Sequence, residues 1–220
     1  MAVVGADGAG KSTVTARLAH ADLGRTVKVI YMGVNLDASS LMLPTTRVLL
    51  AVKRARGRRP DLVASPLRDV NAVPTPTSSA KEAARLGVWL LEEWLRQAVA
   101  TYYVLRGYIV IFDRHFFADY YHADVEQRGV RRSLPRRVHG WVLRHAYPRP
   151  DLMLMLDAPP EQLYLRKPEA TVDWLEQRRR EYLGLSHVVT DFFVIDSDRP
   201  VDAVVTEAAD LIRKKSEALA

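Results

Sequence analysis

The 220-residue sequence contains no cysteine. That excludes disulfides, thiolate catalysis and cysteine-ligated zinc, and it fits a reducing compartment, so a cytoplasmic location is expected. No apolar run is long enough to span a bilayer. Met1 leads straight into an apolar run, so no signal peptide is expected. There is no internal repeat and no linker long enough to separate two domains. The excess of one charge sign over the other is also small. A formal net charge of +6 suits polyanionic ligands but is too weak on its own to call for nucleic acid. The rest, 48% hydrophobic and 26% charged, suits one globular domain over residues 1–220 with a sizeable core.

The most informative stretch is Gly5-Ala6-Asp7-Gly8-Ala9-Gly10-Lys11-Ser12-Thr13. It follows the apolar run Ala2-Val3-Val4 and opens a segment with helical spacing. A phosphate chain needs many donors turned inward, and glycines let the backbone N–H groups face one anion. The helix beginning near Lys11 adds its positive end. Lys11 is expected on the β- and γ-phosphates of ATP, with the Ser12 hydroxyl on Mg²⁺.

The rest of the chain alternates strands and helices. Val14, Leu18 and Ala21 keep a helical period, with Gly24 as the expected stop, and Val27 to Met32 reads as a strand. Residues 36–80 form an irregular insertion rich in proline, with the basic run Lys53, Arg54, Arg56, Arg58 and Arg59. That run is either a solvated helix end, an anion-binding lid over the acceptor side, or a contact for an anionic surface. A long helix is expected from Ser79 to Gly107, then the apolar strand Tyr108 to Phe112. One helical region covers roughly Phe116 to Tyr147. Strands at Leu152–Leu156 and Phe192–Ile195, and helices after Pro159, over Val172–Leu185 and from Val201, complete the pattern. The predicted class is α/β, a doubly wound five-stranded parallel sheet with helices on both faces.

Such sheets bind ligands beyond the carboxyl ends of their strands. Asp7, Asp113 and Asp157 all fall there. Asp113 suits Mg²⁺ or a hydroxyl proton and Arg114 a phosphate, unless the two form a structural ion pair. Asp157 is equally open to capping the helix that follows. In Val172–Leu185, helical spacing sets Arg178 on a stripe with Trp174, Tyr182 and Leu185, while Arg179 and Arg180 point elsewhere. With Arg166 and Lys167, Arg178 suits a cationic lid over residues 166–185. The alternative is a snorkelling arginine paired with Glu181 or Glu176.

These residues resemble the thymidylate kinase family of nucleoside monophosphate kinases. The resemblance rests on the loop at Gly5–Thr13, on Arg106-Gly107-Tyr108-Ile109-Val110-Ile111-Phe112-Asp113-Arg114-His115, and on Leu156-Asp157-Ala158-Pro159-Pro160-Glu161 followed by Arg166-Lys167-Pro168-Glu169. It implies a P-loop kinase fold, Mg²⁺-ATP, a helical lid, and transfer of the γ-phosphoryl group to a nucleoside monophosphate. It carries Lys11 and Ser12 to ATP and Mg²⁺, Asp7 to the acceptor side of the loop, and Arg114 to phosphate. The chain departs from the family after the second strand, where Gly33-Val34-Asn35-Leu36-Asp37 replaces an Arg-Glu-Pro-Gly-Gly-Thr grip. On the long helix only Arg96 remains for the acceptor phosphate, and beyond Arg114 the polar candidates are Asp119 and His122.

The resulting expectation is an ATP-dependent kinase with a small-molecule acceptor and catalytic residues Lys11, Asp113, Arg114 and Arg178. Gly5, Asp7, Gly8, Ala9, Gly10, Ser12, Thr13, Arg166 and Lys167 would join Lys11 around ATP. Ser12 and Asp113 would hold the metal. A kinase for another small anionic acceptor, and an ATP-binding regulator with weak hydrolysis, stay open as alternatives. A homodimer is compatible with either.

Overall fold

The computed structural model describes residues 1–33, 79–127 and 133–219. The basic run at 53–59 and nearly all of the expected insertion lie outside these residues. The sheet strands are β1 (Ala2–Val4), β2 (Val27–Tyr31), β3 (Ile109–Asp113), β4 (Met153–Asp157) and β5 (Phe192–Asp196). Their order is β2-β3-β1-β4-β5, and every pairing is parallel. The helices are α1 (Lys11–Leu18), α2 (Ser79–Leu105), α3 (Phe116–Tyr121), α4 (Leu134–His145), α5 (Pro160–Arg166), α6 (Val172–Leu183) and α7 (Val201–Ala218).

Side-chain alternation along the strands builds two cores. Ala2, Val4, Ile30, Val110, Phe112, Met153 and Met155 face one side and pack with Phe116, Phe117, Tyr120, Leu143 and Tyr147. Val3, Ile111, Leu154, Leu156 and Ile195 face the other and pack with Val14, Leu18, Val204, Ala208 and Ile212. Burial on both faces explains why the central strands read as continuous apolar runs.

Two expectations shift and one holds. α1 ends at Leu18, short of Gly24, whose left-handed conformation (φ 75°) belongs to the turn before β2. α2 does stop ahead of Gly107 (φ 82°): the Gly107 N–H reaches Val104 O at 2.9 Å and the Tyr108 N–H reaches Tyr103 O at 3.1 Å, a Schellman closure. The region from Phe116 to Tyr147 is not one helix. α3 runs into a π turn at His122–Glu126, and α4 starts afresh with Pro135 in its first turn.

Register sets up the site. β1 sits between β3 and β4, and Val3 pairs with Asp113. The loop leaving β1 therefore emerges beside the end of β3, where the chain order of the sheet reverses.

Candidate active site

The loop between β1 and α1 has Gly5, Gly8 and Gly10 at φ 146°, 89° and 83°. Two of them are also demanded by space. A Cβ on Gly5 would lie 2.4 Å from Leu156 O, and one on Gly8 would lie 2.4 Å from Leu163 O. The loop is thus wedged against the end of β4 and against α5. Gly10 precedes α1, whose first turn carries no side-chain cap, so its N–H groups remain available to an anion. Thr13, in that turn, is exposed, and Ala9 is buried under the loop.

Lys11 is buried rather than solvent-facing. Its Nζ donates to Gly5 O at 2.8 Å and Ala6 O at 2.7 Å. Burial, and next the nearby Arg114 charge, lower its pKa to about 7. Ser12 Oγ donates to Asp113 Oδ2 at 2.8 Å. Asp113 is buried at the end of β3, and its Oδ1 has no hydrogen-bond partner among the described residues. This oxygen pair fits a hard cation such as Mg²⁺, which takes one or two protein oxygens and relies on phosphates for the rest. Among the described residues no cluster of three or more His, Asp or Glu could hold a metal alone.

Arg114 follows with φ 69°, a left-handed conformation unusual for arginine. Its N–H bonds Val3 O at 3.1 Å, which anchors the turn. The turn aims the guanidinium at Asp7, with Nη2 2.6 Å from Oδ1. Burial pushes the Asp7 carboxyl up, but Arg114 and then Lys11 outweigh it and bring the pKa to about 2. Burial likewise opposes the Arg114 charge, and Asp7 and Asp119 more than restore it.

Past the end of β2, Arg96 and Arg114 converge on Gly33, the last described residue there. Arg96 Nη1 lies 3.5 Å from Gly33 O and Nη2 3.9 Å from Glu92 Oε2, and a Cβ on Gly33 would fall 2.6 Å from Arg114 Cδ. Asp119 is engaged elsewhere. It accepts from Tyr182 Oη at 2.6 Å and lies 3.6 Å from Arg178 Nη2. His122 sits on the π turn, 3.2 Å from Glu126.

On α6, Arg178 and Tyr182 are buried, in keeping with their shared stripe. Arg178 donates to Glu181 Oε2 at 2.7 Å and Tyr182 Oη at 2.9 Å, so its pairing includes the Glu181 contact that the alternative reading named. Arg180 is exposed and bonds Glu176. Arg179 also leaves the stripe, and it forks onto Asp157 with bonds of 2.7 and 2.8 Å. Asp157 therefore serves as its acceptor and does not cap α5, where Pro159 stands at the cap position. Arg166 reaches Ser197 O and Asp198 beyond β5, and Lys167 pairs with Glu169.

Sequence reading missed a buried polar network between α2, the π turn and α4. His139 Nδ1 lies 2.7 Å from Asp124 Oδ2, and Nε2 lies 3.6 Å from Glu93 Oε1. Arg136 Nε donates to Asp124 Oδ1 at 2.7 Å. Gly140 permits the approach, since a Cβ there would fall 2.2 Å from Asp124 O. The available signal was Glu92-Glu93, two acidic residues inside an otherwise apolar helical stripe.

No protein-family model matches the sequence, and no curated protein matches it. Solved structures do match by shape. One is a deoxyadenosine kinase from M. mycoides, with dCMP and a flexible dCDP bound. The alignment covers 97% of this chain and 98% of that one, with a TM-score of 0.59 and 14% sequence identity. The fold is therefore that of the P-loop kinases, an α/β architecture with the phosphate-loop geometry described above. Among the described residues no helix is long and apolar enough to cross a membrane.

Proposed function

We propose that the chain is an ATP- and Mg²⁺-dependent kinase that transfers the γ-phosphoryl group to a nucleoside monophosphate. The observation that carries the reading is the Ser12–Asp113 contact beside Lys11, with the uncapped start of α1 next to it. Bound there, Mg²⁺ would neutralise charge on the β- and γ-phosphates. Lys11 leaves the loop carbonyls to meet those phosphates. The N–H groups of Lys11, Ser12 and Thr13 donate to phosphate oxygens. Arg114, preset by its strained turn and by Asp7, orients the acceptor, with Arg96 behind it. Arg178 steadies the lid helix from within; Arg166 and Lys167 border the nucleotide from its other side. Catalysis in this arrangement is positioning and charge stabilisation.

A second reading is a nucleoside acceptor. The buried, unpartnered Asp113 Oδ1 supports it, because a hydroxyl acceptor needs a base for its proton, and the deoxyadenosine kinase of like fold is named for such a substrate. A third is an ATP-binding regulator with weak hydrolysis.

The test is ADP release by the full chain with Mg²⁺-ATP and a panel of nucleoside monophosphates, nucleosides and phosphosugars. Strong stimulation by a monophosphate supports the first reading, and by a nucleoside the second. Slow turnover that no acceptor stimulates supports the regulator. dTMP is expected to be a poor member of the panel, since the sequence lacks the Arg-Glu-Pro-Gly-Gly-Thr grip and offers only Arg96 in the Glu92–Arg96 stretch of α2.

A further inference from the structure

Glu93 on α2 is wholly buried, and neither of its carboxylate oxygens has a hydrogen-bond partner among the described residues. A carboxylate in that state opposes folding, because its lost water contacts are not replaced. His139 Nε2 stands 3.6 Å from Oε1, beyond hydrogen-bond length, and its Nδ1 is committed to Asp124 at 2.7 Å. Arg96, one turn further along α2, has Nη1 3.5 Å from Gly33 O and its guanidinium over the Phe116 ring, 5.5 Å from the centroid. An apolar side chain at this buried position would carry no such cost. Stability therefore does not account for the glutamate.

Its place in the fold does. α2 ends at Leu105 and the chain doubles back into β3, which runs from Ile109 to Asp113. A strand climbs about 3.3 Å per residue and a helix about 1.5 Å, so the level of Asp113 is reached roughly ten residues back from Leu105. Glu93 and Arg96 thus stand level with the carboxyl end of β3, where such sheets bind ligands. Arg96 and Arg114 both reach Gly33 there. α3, which starts at Phe116 just past Arg114, forms the opposite wall: the Tyr120 ring meets His139 edge-on with centroids 5.7 Å apart. An acceptor whose phosphate meets Arg114 extends its other end between α2 and α3, toward Glu93.

The chemistry of that end follows from the carboxylate, which only accepts hydrogen bonds. Cytosine and adenine offer an exocyclic amino group, and guanine offers one beside a ring N–H, two donors for two oxygens. Thymine and uracil offer a single ring N–H between two carbonyl oxygens, whose partial charges oppose a carboxylate.

We propose that Glu93 reads the base of the acceptor and selects one that carries an exocyclic amino group. The inference rests on the nucleotide-kinase reading above, but not on whether the acceptor brings a phosphate. The donors of the base supply the bonds that the fold withholds from Glu93, a stability cost carried for function.

The test is calorimetric binding to the full chain with Mg²⁺ and a non-hydrolysable ATP analogue present. Two matched pairs isolate the amino group: dCMP against dUMP, and dGMP against dIMP, each also as the free nucleoside. The amino-bearing member of at least one pair should bind at least about tenfold more tightly, the scale of one hydrogen bond to a charged group. In Glu93→Gln the amide has both a donor and an acceptor and meets either edge, so that preference should shrink to within about twofold. Glu93→Met, of similar volume, should lose the tight binding. Thermal melts should show both variants at least as stable as the wild type. Equal affinity within both pairs, no binding of either pair, or a preference that survives Glu93→Gln overturns the proposal. Unfolding of both variants would make Glu93 structural and overturn it as well. A preference confined to the nucleosides upholds it and removes the monophosphate acceptor instead. Monophosphates bound and phosphorylated with or without an amino group do the reverse.

Discussion

Ser12 and Asp113 are 101 residues apart in sequence and 2.8 Å apart in space. The pairing of Val3 with Asp113 brings this about, because β1 delivers the phosphate loop to the same end of the sheet at which β3 delivers its carboxylate. A one-residue slip in that register would turn Asp113 to the opposite face of the sheet.

Asp113→Asn tests what the carboxylate does. The amide oxygen can still accept from Ser12, so the local bond survives while the charge is lost. Turnover should fall at least about a hundredfold and the Mg²⁺ requirement should rise, the scale seen when one preorganised electrostatic contact is removed. Stability should hold or increase, because a buried, partly unpartnered carboxylate opposes folding. Steady-state kinetics over a Mg²⁺ titration, with a thermal melt, measure both. Unchanged Mg²⁺ dependence would remove Asp113 from the metal site.

On the proposed function, Lys11 should make ATP binding a proton-linked event. Burial lowers its pKa from the ordinary lysine value to about 7, so above neutrality the free protein carries it largely uncharged. Phosphates favour the ammonium form and raise the pKa again. ATP binding at pH 8 should therefore take up part of a proton, and affinity should weaken as pH rises from about 7 to 9. Calorimetry in two buffers of different ionisation enthalpy reads the uptake. Lys11→Met should abolish this component and nearly all turnover; an identical proton count in that variant would assign the linkage to another group.

How much of this was legible follows from sequence distance. The phosphate loop is a contiguous motif, and Asp113 and Asp157 close apolar runs, so their places at strand ends could be read locally. Helical spacing likewise grouped Arg178 with Tyr182, and both are buried. It could not say what lies opposite each face, so the Arg179 fork onto Asp157, 22 residues away, was out of reach. The aromatic run after Arg114 hid the break at the π turn, although Ser133-Leu134-Pro135 is a recognisable helix start. The Arg136–Asp124–His139–Glu93 network draws on three elements; Glu92-Glu93 marks one end of it, but no single stretch shows which residues answer them.

The three consecutive arginines of α6 should separate by stability. Arg178→Ala would strand Asp119 and Glu181 in the interior, and breaking a buried pair in this way costs about 3–5 kcal/mol. Arg179→Ala removes a half-buried fork onto Asp157, for which a loss of about 1 kcal/mol is expected after solvent screening. Arg180→Ala should leave the melt unchanged, since its contact with Glu176 lies in solvent. Urea titrations rank them. Equal losses for all three would mean that burial on α6 does not decide the outcome, and a rate defect in a fully folded Arg178→Ala would instead favour a direct role at the phosphates.

His139 should make stability fall in mild alkali. Burial alone would lower its pKa, but the hydrogen bond to Asp124 and the nearby Glu93 and Asp124 carboxylates raise it from 6.5 to about 9. The groups facing it include Asp124 with its partner Arg136, Glu93 with Arg96 nearby, and the Tyr120 ring. Between pH 6.5 and about 9 the folded chain therefore holds a proton that the unfolded chain has released, and the slope of stability with pH is negative. The contribution is complete below pH 6.5 and disappears as pH passes about 9. A shift of this size corresponds to about 3 kcal/mol. Glu93 works in the other direction: burial pushes its carboxyl up, so its charged form detracts from stability at neutral pH. His139→Gln keeps a polar group for both neighbours but cannot titrate. Urea denaturation from pH 6 to 10 should show the wild-type midpoint dropping over that window while the variant, lower at pH 6, stays nearly level. Parallel curves for the two proteins would mean that His139 is not the group that releases the proton.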